Sequence, residues 1–255
     1  MSTSDLYAIP RNIASAADCH FYHEMDIPGF GPTHGAHWDL RGNEDAYIGN
    51  VDVSGKRVLE IGPASGYMSF YMESRGAEVV SVELSPELDW DVVPDAHLDF
   101  DEFARSRVAG MEGLRNGYWF AHERLQSKAR VYYGSAYELP AELGHFDVAT
   151  VCAVLLHMRD PLRAVENCAR LADTVIVTDL HHPDVPDDSP VMKWLSTPDA
   201  PSLDTWWKFS PQLFVRFGEV LGFTSNVVTF HEQKLTLEPP RPAAMFTVVS
   251  SGRAH

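Results

Sequence analysis

The chain has 255 residues, of which 45% are hydrophobic and 22% charged. This composition is typical of a globular protein with one buried core, and it excludes long disordered, collagen-like and coiled-coil chains. The longest nearly continuous apolar stretch, Val148 to Leu156, is about half of the roughly 20 residues that a membrane-spanning helix requires. The N-terminus lacks a basic segment followed by an apolar one, so we expect a cytoplasmic protein without a membrane anchor.

The charge balance predicts which partners the protein avoids. Twenty Lys and Arg against 36 Asp and Glu give a formal net charge of -16, which repels a phosphate backbone at long range. We therefore expect no nucleic-acid partner. The sequence leaves a homo-oligomer open. The one dense charge run is acidic, and we interpret it as a solvated face, formed by Glu87, Asp89, Asp91, Asp95, Asp99, Asp101 and Glu102.

The three cysteines indicate reduced thiols. They are odd in number, widely spaced and form no CxxC pair, which argues against a disulfide framework and a structural zinc site. Residues 1–50 are rich in His, Gly and Pro and show no sustained period, so we predict a loop-rich N-terminal arm that serves as a lid.

From residue 51 to 255 short apolar runs alternate with helical segments, which predicts a single domain. We predict strands at 56–61, 78–83, 130–133, 146–151 and 174–179, and helices at 64–75, 102–126, 161–171 and 211–221. Two closing strands at 224–231 and 243–249 are expected to pair antiparallel. This alternation predicts a doubly wound α/β fold with a seven-stranded, mostly parallel sheet and a helical insertion at about 85–128.

A glycine turn follows the first predicted strand. Gly62 and Gly66 allow a ligand to approach the backbone at the carboxyl end of the sheet. A dinucleotide fingerprint would need Gly at the position of Ala64 and a small residue at that of Tyr67, and no phosphate-loop Gly-Lys-Ser/Thr is present. Because Glu60 precedes the turn, the pattern favours a ligand with a cationic amino acid end over a polyanion.

A second acid, Glu83, stands at the tip of the next strand, 17 residues after Gly66. A carboxylate at this place can accept both hydroxyls of a ribose. Its occurrence together with the glycine turn favours a nucleoside-binding role over a solvated loop residue.

These segments resemble the successive motifs of class I S-adenosylmethionine-dependent methyltransferases, over about residues 40–250. The motifs that carry the resemblance are the glycine turn with its strand, Glu83, and the runs Gly134 to Pro140, Phe146 to Val151 and Leu155 to Pro161. His37 to Gly42 and Asp204 to Trp207 are further similar to the branch of wobble-uridine carboxymethyltransferase-like proteins.

The resemblance implies S-adenosylmethionine as cofactor and a role for each matching residue. The methionine end would lie on Glu60 and the turn that contains Gly62, Ala64 and Gly66, the ribose on Glu83, the adenine beside Ser135 and Ala136, and the methionine moiety against Cys152 and Ala153. Most family members carry Asp where this chain has Ser135. Cys152 is equally well interpreted as a small buried residue.

Methyl transfer to a protonated acceptor needs a base. Positions after strand ends favour His157 and His181 as catalytic residues, with Asp179, His182 and His122 as further candidates. The His and Asp residues from 179 to 184 also invite a metal site, but their spacing matches no established motif, and we predict none.

Aromatic residues concentrate in the arm, the insertion and a late loop, where they either pack on the sheet or form a dry lid over the sulfonium: Trp38, Tyr47, Trp90, Trp119, Trp206 and Trp207. We therefore expect a methyltransferase that acts on a small molecule. The alternatives are a tRNA-modifying methyl or carboxymethyl transferase, and a cofactor-binding module that has lost catalysis.

Overall fold

The computed structural model describes residues 6–88, 91–93, 99–202 and 204–253, with the backbone alone for Phe100. The strands are β1 (Asp26–Ile27), β2 (Gly31–Pro32), β3 (Trp38–Asp39), β4 (Arg57–Ile61), β5 (Glu78–Leu84), β6 (Arg130–Gly134), β7 (Phe146–Cys152), β8 (Ala172–Leu180), β9 (Met192–Trp194), β10 (Trp207–Phe209), β11 (Phe223–Leu235) and β12 (Arg241–Arg253). The α-helices are α1 (Glu44–Tyr47), α2 (Tyr67–Ser74), α3 (Phe100–Leu125), α4 (Pro161–Leu171) and α5 (Pro211–Val220). In these residues no helix is long and apolar enough to cross a membrane.

The central sheet has the order β3-β11-β12-β8-β7-β4-β5-β6. Strands β8, β7, β4, β5 and β6 run parallel, and β12 and β11 are added antiparallel. The predicted mostly parallel α/β fold is confirmed. The sheet has one strand more than predicted, because β3 from the N-terminal arm pairs with Lys234 and Leu235 of β11.

The strand pattern follows from burial on both faces. In β4 every residue from Val58 to Ile61 is buried, as expected for a parallel strand covered by helices. Phe146 lies in the larger core cluster on one face, and Tyr47 lies in the cluster on the other. The helix α4 has the predicted bounds because Pro161 occupies its first turn and the Asp160 carboxylate accepts the N–H of Arg163.

A small hairpin formed by β9 and β10 was not predicted. Its strands have three residues each and lie in a segment rich in Pro and Trp, at residues 183–209. A strand this short is too brief to show the alternation of period 2 that would identify it. Trp194 and Trp206 stack across it with ring centroids 5.7 Å apart. Tertiary packing of the indole rings, rather than local strand propensity, stabilises this hairpin.

The N-terminal arm docks on α3 through helix glycines. The His20 N–H donates to the carbonyl of Gly113 at 2.8 Å. A Cβ built on Gly117 would lie 2.6 Å from the His20 carbonyl oxygen, whereas one built on Gly110 meets nothing within 4 Å. Glycine is an unfavourable residue within a helix, but at Gly113 and Gly117 of α3 it allows the arm backbone to approach the helix closely.

We expect Gly117→Ala to detach the arm. The added methyl group would overlap the backbone carbonyl of His20, which cannot move aside as a flexible side chain could. Limited trypsin cleavage in the arm, at Arg11, should become at least about 10-fold faster. Gly110→Ala is the matched control, and its free energy of unfolding should rise by about 0.5–1 kcal/mol because alanine is the better helix former. Equal protease resistance of the two variants would contradict this docking.

Candidate functional site

A cavity of about 420 Å³ opens at the carboxyl ends of the parallel strands. The strand ends and turns form its floor, and the N-terminal arm, α3 and the segment around Asp204 form its walls. Of the residues predicted to bind the cofactor, those that line this cavity are Glu60, Gly62, Ala64, Glu83, Cys152 and Ala153. The fold therefore gathers residues that are separated by up to 93 positions in the sequence, from Glu60 to Ala153, around one space.

The glycine turn is shaped for a close backbone approach. Gly62 has φ of 72°, and a Cβ there would lie 2.7 Å from the Val154 side chain. Ala64 adopts φ of 50°, a left-handed conformation that is costly for a residue with a Cβ. Gly66 precedes α2 with φ of 89°. It lines neither this cavity nor the smaller one beside it, which contains Ser135 and Ala136. We assign Gly66 the role of shaping the turn.

Glu60 is buried beneath the turn. Its Oε2 accepts hydrogen bonds from the Ser69 hydroxyl and, at 2.9 Å, from the Ser81 hydroxyl. Burial raises the pKa of this carboxyl to about 7, and the two serines oppose that shift. Within the described part of the chain no cation acts on this acid, which is the property expected of a group that receives a ligand's ammonium.

Glu83 lies near the end of β5 and lines both this cavity and a neighbouring one. Its Oε1 accepts the N–H of Leu84 at 2.7 Å. Burial raises the pKa of the Glu83 carboxyl to about 7, while the guanidinium of Arg115 acts in the opposite direction. A carboxylate at this junction fits two hydroxyl donors of a sugar.

The neighbouring cavity, of about 110 Å³, contains the predicted adenine residues Ser135 and Ala136. Asp91 also lines this cavity. Its carboxylate accepts hydrogen bonds from the Tyr137 hydroxyl and, at 2.7 Å, from the backbone N–H of Arg159. Asp91 belongs to the acidic run, so for this residue the prediction of a solvated face is wrong. In the same run Glu87, Asp101 and Glu102 are exposed, whereas Asp89 and Asp95 lie outside the described residues.

Cys152 and Ala153 form the wall at the end of β7. Ala153 has φ of 49° and donates its N–H to the Thr178 carbonyl at 2.7 Å. Burial raises the pKa of the Cys152 thiol to about 12. The thiol therefore stays protonated, and Cys152 supplies a small surface rather than a nucleophile.

His157 is the candidate base that faces the site. It lines both cavities, and its Nδ1 is bonded to the Asp204 carbonyl oxygen. Because a carbonyl only accepts, Nδ1 carries the proton and the neutral ring has its lone pair on Nε2. Burial lowers the pKa of His157, which favours that neutral form.

His181 is placed elsewhere, and the structure does not support its prediction as a catalytic residue. The backbone N–H of His181 donates to the Ala244 carbonyl at 2.9 Å, and its Nε2 lies 2.9 Å from Oδ1 of Asp187. His181 lines neither cavity. Among the described residues no group of three His, Cys, Asp or Glu side chains forms a metal site.

The arm contributes cavity residues that the sequence did not reveal, namely His20, Tyr22, His23 and His37. Tyr22 is held against the glycine turn, because its N–H donates to the Ser65 hydroxyl at 3.0 Å. The sequence offered one weak signal for these residues, namely the cluster of rings formed by His20, Phe21 and Tyr22. A cluster this short has no period, so it predicts neither a regular element nor a place in the site.

The predicted aromatic residues separate into two groups. Trp38 and Tyr47 line the cavity. Trp119 and Trp206 are buried packing residues, and the Trp207 indole donates to the Met158 carbonyl at 2.8 Å. Trp90 lies outside the described residues.

Asp179, near the end of β8, is buried, and its Oδ2 has no hydrogen-bond partner among the described residues. Burial raises the pKa of the Asp179 carboxyl to about 7, although its Oδ1 accepts the N–H of Leu180 at 2.7 Å. An acid whose folded-state pKa is raised destabilises the fold as the pH rises from about 4 to 7, since the unfolded chain releases its proton first.

We therefore expect Asp179→Asn to stabilise the protein above pH 7, by about 2–4 kcal/mol in free energy of unfolding, because the amide keeps the Oδ1 contact without a charge. The gain should shrink towards pH 4. Urea unfolding at several pH values measures it, and Asp188→Asn on the exposed surface serves as control. A gain that is the same at every pH would contradict the buried-charge explanation.

Comparisons with known proteins agree with this geometry. The sequence model of the methyltransferase domain family matches residues 45–216. A ubiquinone biosynthesis O-methyltransferase from Xanthomonas oryzae pv. oryzae is 28% identical over 162 residues, which are 59% of this chain and 57% of that protein. The match thus spans little more than half the length of this curated relative.

Two solved structures share the fold. A provisionally assigned RNA methyltransferase from Pyrococcus horikoshii superposes with a TM-score of 0.53 at 13% identity, over 94% of this chain and 96% of that one. The 1,6-didemethyltoxoflavin-N1-methyltransferase of Burkholderia thailandensis, solved with S-adenosylhomocysteine, has a TM-score of 0.50 at 13% identity, over 83% and 78%. The match over residues 45–216 identifies the chain as a member of the methyltransferase domain family. This agrees with the S-adenosylmethionine-dependent methyltransferase that the sequence motifs predict.

Proposed function

We propose that this protein methylates a small-molecule acceptor and holds S-adenosylmethionine in the two adjoining cavities. The observation that carries the proposal is that Glu83 and His157 line both cavities, while Glu60 and residues of the arm line the larger one. The names of the Xanthomonas relative and of the Burkholderia neighbour, which are a quinone-pathway and a toxoflavin-precursor methyltransferase, support a small acceptor.

The residues present fit the cofactor. Gly62 lines the cavity in a turn that packs against Val154, Glu60 provides a buried acid for the amino group, and Glu83 provides two oxygens for the ribose. Ser135 and Ala136 would flank the adenine. When bound, S-adenosylmethionine supplies a methyl group on a sulfonium, which an acceptor lone pair takes while the donor leaves as the thioether S-adenosylhomocysteine.

The protein's own residues position the acceptor and take its proton. His157 Nε2 is the proposed base, and its orientation is fixed by the bond from Nδ1 to the Asp204 carbonyl. We further propose that the arm of residues 1–50 is the lid, since Tyr22 and Trp38 of the arm line the cavity together with the strand ends. Enclosure of this kind excludes water from a reactive sulfonium.

Removing the ribose acid should weaken donor binding. We expect micromolar-range binding of S-adenosylhomocysteine by calorimetry and no comparable binding of NAD. Glu83→Ala should weaken it by at least about 100-fold, because two hydrogen bonds to a charged acceptor contribute about 1.5–3 kcal/mol each. The exposed Glu87→Ala is the control. Unchanged affinity of Glu83→Ala would remove Glu83 from the site.

The proposed base is tested by turnover. In a panel of small phenols, amines and thiols, the best acceptor should be methylated about 100-fold more slowly by His157→Ala. Because burial lowers the pKa of His157, wild-type turnover should rise with pH below neutrality and then level off, and the variant should lack this rise. His181→Ala is the control, and equal rates of all three proteins would exclude His157 as the base.

The tRNA alternative predicts a different partner. With a net charge of -16 we expect no tRNA gel shift at physiological salt. Salt-dependent binding of tRNA, or its methylation, would favour the wobble-uridine branch over a small-molecule enzyme. Donor binding with no turnover of any acceptor would favour a non-catalytic module.

A further inference from the structure

The cavity residues that do not belong to the strand turns are available to the acceptor. If the turns and Glu83 hold the donor, the remaining wall consists of arm residues, the α3 segment from Ser106 to Leu114, and Asp204 with Thr205. The arm side is the more specific of these surfaces, because it carries a group of rings. Its chemistry therefore indicates what the acceptor is.

The cavity offers nothing to neutralise an anion. Among the described lining residues the one permanent cation is Arg107, and its guanidinium already contacts the Asp204 carboxylate on the same wall. The nearby acids Glu60 and Glu83 add negative potential. A carboxylate or phosphate on the acceptor would lose its hydration without gaining a partner.

The arm side is equally unfavourable for a cation. Burial, with a contribution from His37, holds the pKa of His23 at about 3, and burial together with His20 lowers the pKa of His37. None of the described arm residues that line the cavity is acidic, so a cation on this side has no carboxylate beside it, and the rings themselves stay neutral because a positive charge there is poorly solvated. A charged ammonium on the acceptor would meet the same cost.

The same wall is made of contacting rings. Tyr22 lies with its ring centroid 4.9 Å from that of His37 and 5.1 Å from that of His23, and the rings of His20 and His37 are 5.6 Å apart. Aromatic walls of this kind pack against flat apolar groups with offset or edge-to-face geometry. This favours an acceptor that is itself a ring.

His23 supplies a polar contact within this wall. Its side chain lines the cavity with only 8% of the residue exposed, and no described residue hydrogen-bonds its ring. Nδ1 is fully enclosed, which leaves Nε2 for a ligand. Since only 8% of His23 is exposed, a substrate atom that bonds to Nε2 does so where little water competes, and this strengthens the bond.

We propose that the methyl acceptor is an uncharged aromatic molecule, with a hydroxyl or ring nitrogen that hydrogen-bonds His23. This inference rests on the proposed function and narrows its substrate class. It makes His23 a specificity-determining residue that contacts the acceptor and leaves the proton-accepting role to His157.

Three compounds with the same pair of hydroxyls test the charge requirement: catechol, 3,4-dihydroxybenzoate and dopamine, which are neutral, anionic and cationic. Calorimetry with the full chain saturated with S-adenosylhomocysteine should show catechol binding at least about 10-fold more tightly than either charged compound. A charged compound that binds as well as catechol overturns the inference, as does a failure of catechol to bind the saturated protein. Failure of S-adenosylhomocysteine itself to bind would instead overturn the proposed function.

Variants of the arm test His23 directly. We expect His23→Phe to weaken catechol binding about 10-fold and to change S-adenosylhomocysteine binding less than about 2-fold, while His23→Gln, which keeps a hydrogen-bonding group, restores much of the loss. His34→Phe, on the exposed part of the arm, should bind both ligands like the wild type. Catechol binding that is unchanged in both His23 variants overturns the assignment of His23.

Discussion

Parallel pairing of β4 between β5 and β7 is the constraint on which the site depends. The register places Glu60 beside Ser81 on one neighbour and beside Thr150 on the other. Because all three strands run the same way, the turns that follow them meet at one edge of the sheet. Glu83 and Cys152 reach the cavity for this reason, although the long helix and several loops separate them in the chain.

Burial of uncompensated acids is the second feature of this edge. Burial raises the pKa of Glu60 and of Glu83 to about 7, and neither carboxyl has a salt-bridge partner among the described ion pairs. Such an arrangement lowers the stability of the empty site at neutral pH. In the proposed function an ammonium beside Glu60 and two hydroxyl donors on Glu83 offset this cost.

The arm gives the cavity further lining residues, and these are chemically different from the acids at the strand ends. Its backbone contacts the glycine turn through Ser65 and α3 through Gly113 and Gly117. The rings that it presents are neutral, in contrast to the acids at the strand ends. One cavity therefore combines acids at the strand ends with neutral rings on the arm. In the proposed function this difference in charge helps to keep the acceptor from occupying the donor's place.

The sequence by itself determined the local and periodic features. Apolar runs and the glycine turn identified the parallel strands, α4 and the residues that line the cavity at the strand ends, because each signal acts over a few neighbouring positions. Only the tertiary structure decided which residues outside those motifs reach the cavity. His157 and His181 both follow a strand, yet the chain after β8 continues its pairing with β12, and the His181 side chain contacts Asp187 instead. The placement of His23 and Asp91 depends likewise on long-range packing of irregular segments, for which no short pattern in the sequence provides a signal.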